Sequence, residues 1–200
     1  MREVLSIARR WLADPRLVAV IIGVMAVGVA VVGDCAWDAL RYERGAIIEG
    51  ELWRLVTGHW VHLGWLHLAL NLAGLLLIWS LWGPALRSVQ WLLCTLWIAM
   101  AQSLLLLALN PEIHWYVGLS GLLHGLFAAG ALRQLCSAPV INGGALVGLA
   151  GKLLLEALNF SGGTAILGTD QVVEEAHLYG AVSGVIYATY CWCCHAHNSP

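Results

Sequence analysis

The sequence predicts an all-α, polytopic membrane protein folded as a bundle of six transmembrane helices. Three observations predict it. Apolar residues make up 60% of the 200-residue chain and charged residues only 11%, with a mean hydropathy of +0.78. Soluble domains carry roughly 45–50% and about 25%, so there is too little charge here to cover a water-facing surface. Long apolar runs recur between charges and turn residues, and a helix satisfies its own backbone polar groups in lipid. Eleven tryptophans suit a chain that needs anchors at membrane interfaces. The same composition excludes disorder and a secreted disulfide scaffold, and a net charge of −2 leaves no basic footprint for nucleic acid. The expected environment is the lipid bilayer, and residues 1–200 read as one membrane domain.

The runs place spans at about 17–33, 65–82, 89–109, 117–132, 145–158 and 176–193. Gly83-Pro84 ends the second and Asn110-Pro111 the third. Several are shorter than the ~20 residues a crossing helix needs, which suggests a thin local bilayer or helices that begin inside it. Arg2, Arg9, Arg10 and Arg16 precede the first run, so the positive-inside rule puts the N-terminus in the cytoplasm. Six spans then bring Arg87, Arg133 and the C-terminus to the same side. The first run is longer than a signal-peptide core and no small-x-small site follows it, so it is expected to be retained. Residues 34–64 form the longest non-spanning stretch. Trp37, Tyr42, Trp53 and Trp60 are expected to hold it on or in the interface. Of the six cysteines only Cys35 falls near the outer side, so no disulfide framework is implied. The tail from Cys191 to His197 has metal-capable residues at a spacing that matches no structural zinc pattern, and it reads as a span end.

Polar residues inside spans are costly and mark function by default. Ser120 opens the fourth span within Gly118-Leu119-Ser120-Gly121, where first-turn N–H groups lack helical partners and can hold a developing oxyanion. Taken alone, it also reads as a serine N-cap on a glycine-packed helix. His177 precedes Gly180 and Gly184, a small-xxx-small face that brings a partner helix against the imidazole. A packing histidine bonded to a carbonyl is the plainer alternative. His67 and Asn71 share one face of the second span and can donate to one point, with His62 and His59 nearby. A metal site ranks below this, because no carboxylate or cysteine stands at ligand spacing on that helix. Lys152 and Glu156 are four apart, spaced as an intrahelical ion pair, and recognition of a substrate terminus is the sharper alternative. The fourth and sixth spans run in the same direction, so Ser120 and His177 fall near the same outer end. Ser120 lies thirteen residues from Arg133, about 20 Å along a helix, hence roughly 10 Å below the outer surface of a ~30 Å core.

These blocks resemble the rhomboid family of intramembrane serine proteases. They run in the family's order: Glu51-Leu52-Trp53-Arg54, His62-x4-His67-x3-Asn71, Gly118-x-Ser120-Gly121 and Ala176-His177-x2-Gly180-x3-Gly184, covering about residues 50–190. The resemblance implies a six-transmembrane-helix rhomboid-like bundle and a Ser–His dyad without a third carboxylate. Ser120 would be the nucleophile and His177 the base. His67, Asn71 and the Ser120 N–H would form the oxyanion site, and Glu51 and Arg54 would structure the outer loop. No cofactor and no metal would be needed. Many rhomboids carry tyrosine where this chain has His124, stacked on the catalytic histidine. His124, the short length and the Lys152–Glu156 stretch are similar to the rhombosortase subgroup. That implies a membrane-anchored substrate with a C-terminal Gly-rich segment, a hydrophobic helix and basic residues, cleaved at the periplasmic side of a bacterial inner membrane, with release to water or an amine. Rival readings are an inactive client-binding relative, a carrier with a path lined by His59, His62, His67, His124 and His177, and a metal or haem protein.

Overall fold

The computed structural model describes residues 14–158 and 173–196, with no side chains described for 193–196. The readings of Arg2, Arg9 and Arg10, and of the tail residues His195 and His197, lie outside the described residues or side chains. Each of the six apolar runs forms a helix. In chain order these are α1 (Arg16–Val32), α5 (Trp65–Trp82), α6 (Ser88–Leu109), α7 (Ser120–Arg133), α8 (Pro139–Ala157) and α9 (Glu174–Ala196). Between α1 and α5 lie α2 (Asp34–Leu40), β1 (Tyr42–Glu43), α3 (Arg44–Ile48), α4 (Arg54–Thr57) and a 3-10 turn at Gly58–Trp60. The strand β2 (Trp115–Tyr116) precedes α7.

Among the described residues, Trp65–Ala85, Ser88–Leu109 and Pro139–Ala157 are long and apolar enough to cross a membrane, and the bent pair α1–α2 is a fourth candidate. With 14 residues, α7 is only about 21 Å long, short of a ~30 Å hydrocarbon core.

Four boundaries differ from the sequence expectation. The first run continues past Gly33 as α2, bent by 118°. Gly33 sits at φ 74, and this left-handed conformation turns the chain between Val32 and Asp34. The expected fifth span starts at Pro139 rather than 145, because proline suits a first helical turn. The fourth starts at Ser120 rather than 117, because Gly118 at φ 119 is not helical. The sixth extends from Glu174 to Ala196, beyond both expected ends.

The stretch 34–64 is packed against the protein more than expected. Trp53 is 52% exposed and suits an interfacial anchor, but Tyr42 and Trp60 are buried in the core. The reason is local pairing. Tyr42 stands opposite Tyr116 and Glu43 opposite Trp115 in a two-strand antiparallel ladder that clamps this segment to the approach to α7. Gly58 lies so close beneath it that an added Cβ would be 2.6 Å from the Tyr42 nitrogen. Arg54 is 7% exposed and ties the segment together, donating to Glu51 Oε2 at 2.6 Å and to the Arg41 carbonyl at 2.9 Å.

Helix α7 sits at the centre of the bundle. Leu119, just before it, and Leu122 and Leu126 are fully buried in one apolar core together with Leu75 and Ile78 of α5, Trp91 and Ile98 of α6, and Ile22 and Ala26 of α1. Its contact with α9 is made by glycines. An added Cβ on Gly180 would run into the Gly121 carbonyl oxygen, and one on Gly184 into that of Gly125. The register 121 to 180 and 125 to 184 makes the two helices parallel, as the sequence expects. Helix α8 is held at one end by polar contacts: Trp82 Nε1 donates to Asn142 Oδ1 at 2.7 Å, and Asn142 donates to the Gln134 carbonyl at 2.8 Å. Its Val140, Ile141, Val147, Leu154 and Leu155 are exposed, as suits a lipid-facing helix.

Candidate active site

The glycine contact places two side chains against each other at the start of α7 and α9. Ser120 Oγ lies 3.0 Å from His177 Nε2. Ser120 is the first helical residue, so its N–H is among those a helix leaves unpaired at its N-terminus. His177 is buried one turn before Gly180, the glycine that admits the α7 backbone. A hydroxyl hydrogen-bonded to an imidazole is the geometry in which the ring can remove the hydroxyl proton as oxygen attacks an electrophile.

His67 enters from α5. Its ring packs on Gly118, where an added Cβ would be 2.7 Å from His67 Cε1 and 3.0 Å from Nε2. Gly118 is required twice, by its φ and by this approach. The Leu63 N–H donates to His67 Nδ1 at 3.3 Å, which leaves the ring proton of a neutral imidazole on Nε2 as a donor. Asn71 lies one turn on, with Nδ2 donating to the His67 carbonyl at 3.1 Å. One of its two amide hydrogens is thus turned to its own helix and the other is left. His62 stands edge-on to His67 at 5.1 Å and pairs through Nδ1 with the Trp60 carbonyl at 3.0 Å.

The ground before Ser120 is braced. Tyr116 donates to the Gly118 carbonyl at 2.7 Å, and the Gly118 N–H donates to the Gly58 carbonyl at 3.3 Å. His59 is fully buried, with Nε2 3.0 Å from the Ala99 carbonyl and 3.1 Å from Ser103 Oγ. Burial pushes both His59 and His62 down to about 4, so these loop imidazoles are neutral near pH 7. Burial likewise pushes the Tyr116 phenol up to about 12. Glu51 and Arg54 are in this loop, linked to each other at 2.6 Å.

His124 stacks on His177 with ring centroids 4.3 Å apart and planes 19° from parallel. Its Nδ1 is 2.6 Å from the Ser120 carbonyl oxygen. Lys152 and Glu156 form the expected ion pair at 2.7 Å, but they do more. Glu156 Oε1 is 2.9 Å from His177 Nδ1, and Lys152 Nζ is 2.7 Å from His124 Nε2 and 3.1 Å from His177 Nδ1. This departs from the carboxylate-free pair that the resemblance implies. The i to i+4 spacing on α8 shows that the two charges face one way; which neighbouring helix they face is tertiary information that the spacing does not hold.

A search of curated proteins returned no match. A family model described as the Rhomboid domain matches residues 49–193, nearly three quarters of the chain. The match runs from beside Glu51 through His67, Ser120 and His177 into the end of α9, and so encloses the whole constellation. On this match, with its apolar helices, the chain is an integral membrane protein that belongs to the rhomboid family, whose members are in general intramembrane serine proteases.

Proposed function

We propose that the protein is an active intramembrane serine endopeptidase of rhombosortase type, working through Ser120 and His177. The contact of 3.0 Å between Ser120 Oγ and His177 Nε2 carries this reading. As Ser120 Oγ bonds to the scissile carbonyl carbon, its proton passes to His177 Nε2. The Ser120 N–H, His67 Nε2–H and the remaining Asn71 amide hydrogen stabilise the resulting oxyanion. Collapse breaks the C–N bond, and Nε2 returns the proton to the leaving amine. Water then adds to the acyl-enzyme and releases a carboxylate, or an acceptor amine takes the acyl group as a new amide.

The reading includes six crossings, both termini in the cytoplasm and a bacterial inner membrane. The short α7 supports a site sunk below the outer surface, since a helix of about 21 Å that reaches the inner interface begins inside the bilayer. The substrate is a membrane-anchored protein whose Gly-rich segment precedes a hydrophobic helix; glycine favours the unwinding that exposes a scissile bond. No metal or organic cofactor takes part.

Labelling by a fluorophosphonate tests the reading. Wild type is expected to label, and Ser120→Ala and His177→Ala are not. Full labelling of Ser120→Ala would remove Ser120 as the nucleophile.

A further inference from the structure

A neutral imidazole has one ring proton, and its place decides whether His177 can act. With the proton on Nδ1, the Nε2 lone pair faces the Ser120 hydroxyl and can take its proton. With the proton on Nε2, the ring donates to Ser120 and is idle as a base. The group beside Nδ1 selects between these forms. Two groups stand there, both from α8: the Glu156 carboxylate at 2.9 Å, which can only accept, and the Lys152 ammonium at 3.1 Å, which can only donate.

The distances favour the carboxylate. Lys152 Nζ has two closer acceptors, Glu156 Oε1 and His124 Nε2, each at 2.7 Å. Two of its three hydrogens are used there, and His177 Nδ1 at 3.1 Å is the most distant of its three neighbours, whereas Glu156 comes within 2.9 Å of that nitrogen. His124, accepting at Nε2, carries its own proton on Nδ1 and donates it to the Ser120 carbonyl oxygen at 2.6 Å. His177 Nδ1 is then free to donate to Glu156. The groups facing the ring are Ser120 and His124 from α7, Lys152 and Glu156 from α8, and His67 across Gly118 from α5, and one pattern of donors satisfies the linked set on α7 and α8.

We infer that Glu156 is a positioning residue. Its carboxylate accepts the Nδ1–H of His177, holds Nε2 unprotonated toward Ser120, and offsets the positive charge the ring acquires with the serine proton. The inference rests on the reading of Ser120 as nucleophile and His177 as base, and extends that pair to a serine–histidine–carboxylate line spanning three helices. The Glu156 and His177 side chains are 11% and 7% exposed, so water screens little of their interaction. Lys152 Nζ, 2.7 Å from Glu156 Oε1, supplies the counter-charge that a carboxylate buried among helices needs.

The test uses the full chain in detergent micelles and reads the rate of fluorophosphonate labelling. Glu156→Gln presents an amide whose N–H can face Nδ1 and impose the idle tautomer. It is expected to label about 10²- to 10⁴-fold more slowly, the loss seen when a carboxylate behind a serine protease histidine becomes an amide. Glu156→Asp keeps an acceptor and is expected to recover part of the rate. Glu156→Gln labelling at the wild-type rate, with Ser120→Ala unlabelled, overturns the inference and leaves the serine–histidine reading intact. Equal labelling of Ser120→Ala removes that reading itself. Should the amide variant not fold, nitrogen-15 NMR of histidine-labelled wild type decides, with His177 assigned by the signal missing from His177→Gln. The expected state of neutral His177 has hydrogen on Nδ1; hydrogen on Nε2 overturns the inference.

Discussion

His124 of α7 and His177 of α9 stack face to face at 4.3 Å, so the ring one turn after Ser120 lies flat against the ring bonded to its hydroxyl. The stack fixes the plane of His177, and the polar edges of His124 join the Ser120 carbonyl to Lys152.

His124→Phe keeps the ring face, worth ~0.5–1.5 kcal/mol, but loses the polar contacts, each worth ~1 kcal/mol. His124→Ala loses both. Labelling rates are expected to fall about 30-fold for phenylalanine and about 60- to 300-fold for alanine, taking ~1.4 kcal/mol as tenfold. An alanine variant as fast as wild type would sink the argument.

The glycine contact between α7 and α9 makes a second prediction. Gly184→Ala places a methyl group against the Gly125 carbonyl and is expected to lower stability by about 1–3 kcal/mol or more. Gly148→Ala on α8 meets nothing within 4 Å and is expected to be neutral or to gain up to ~1 kcal/mol from helix propensity. Thermal unfolding in detergent separates the two.

Arg54 secures the segment before α5. Arg54→Leu strands the Arg41 carbonyl and releases Glu51, at about 1–3 kcal/mol. Arg54→Lys is expected to restore little, because an ammonium lacks the fork that reaches both acceptors. Limited proteolysis between α1 and α5 reports the loosening.

The buried loop histidines give a pH dependence. In the folded state burial lowers His59 and His62 to about 4, against about 6.5 when unfolded, so the unfolded chain binds more protons between those values. Their neutral burial is favourable above about pH 6.5. Stability is expected to fall as pH drops from about 6.5 toward 4, by on the order of 3 kcal/mol for the fully buried His59, and to level off below. Unfolding midpoints at pH 7.5 and 5 measure it; equal midpoints would show that these rings are not buried neutral.

The six helices were legible because apolar runs and their Gly-Pro and Asn-Pro ends are local properties. The meeting of Ser120 with His177 was legible because glycines at 121, 180 and 184 announce a close parallel contact. Two things were hidden for the same reason. The bend at Gly33 lies at the end of the apolar run, just before Asp34, where a run that stops and a helix that turns leave the same mark on hydrophobicity. Glu156 reaches His177 only through the placement of α8 beside both other helices, whereas its spacing from Lys152 is fully explained within one helix. Tyr42 and Trp60 carried the composition of interfacial anchors and were buried by strand pairing and packing instead.

Main chain resting on main chain at Gly121–Gly180 and Gly125–Gly184 has an evolutionary corollary. The distance from hydroxyl to imidazole is set by backbones rather than by the fit of bulky side chains. Outward residues such as Leu178, Val182, Val185 and Ile186 can therefore drift with the lipid composition of a host without retuning the chemistry. A small set of positions denied any side chain is what lineages sharing this arrangement must inherit unchanged.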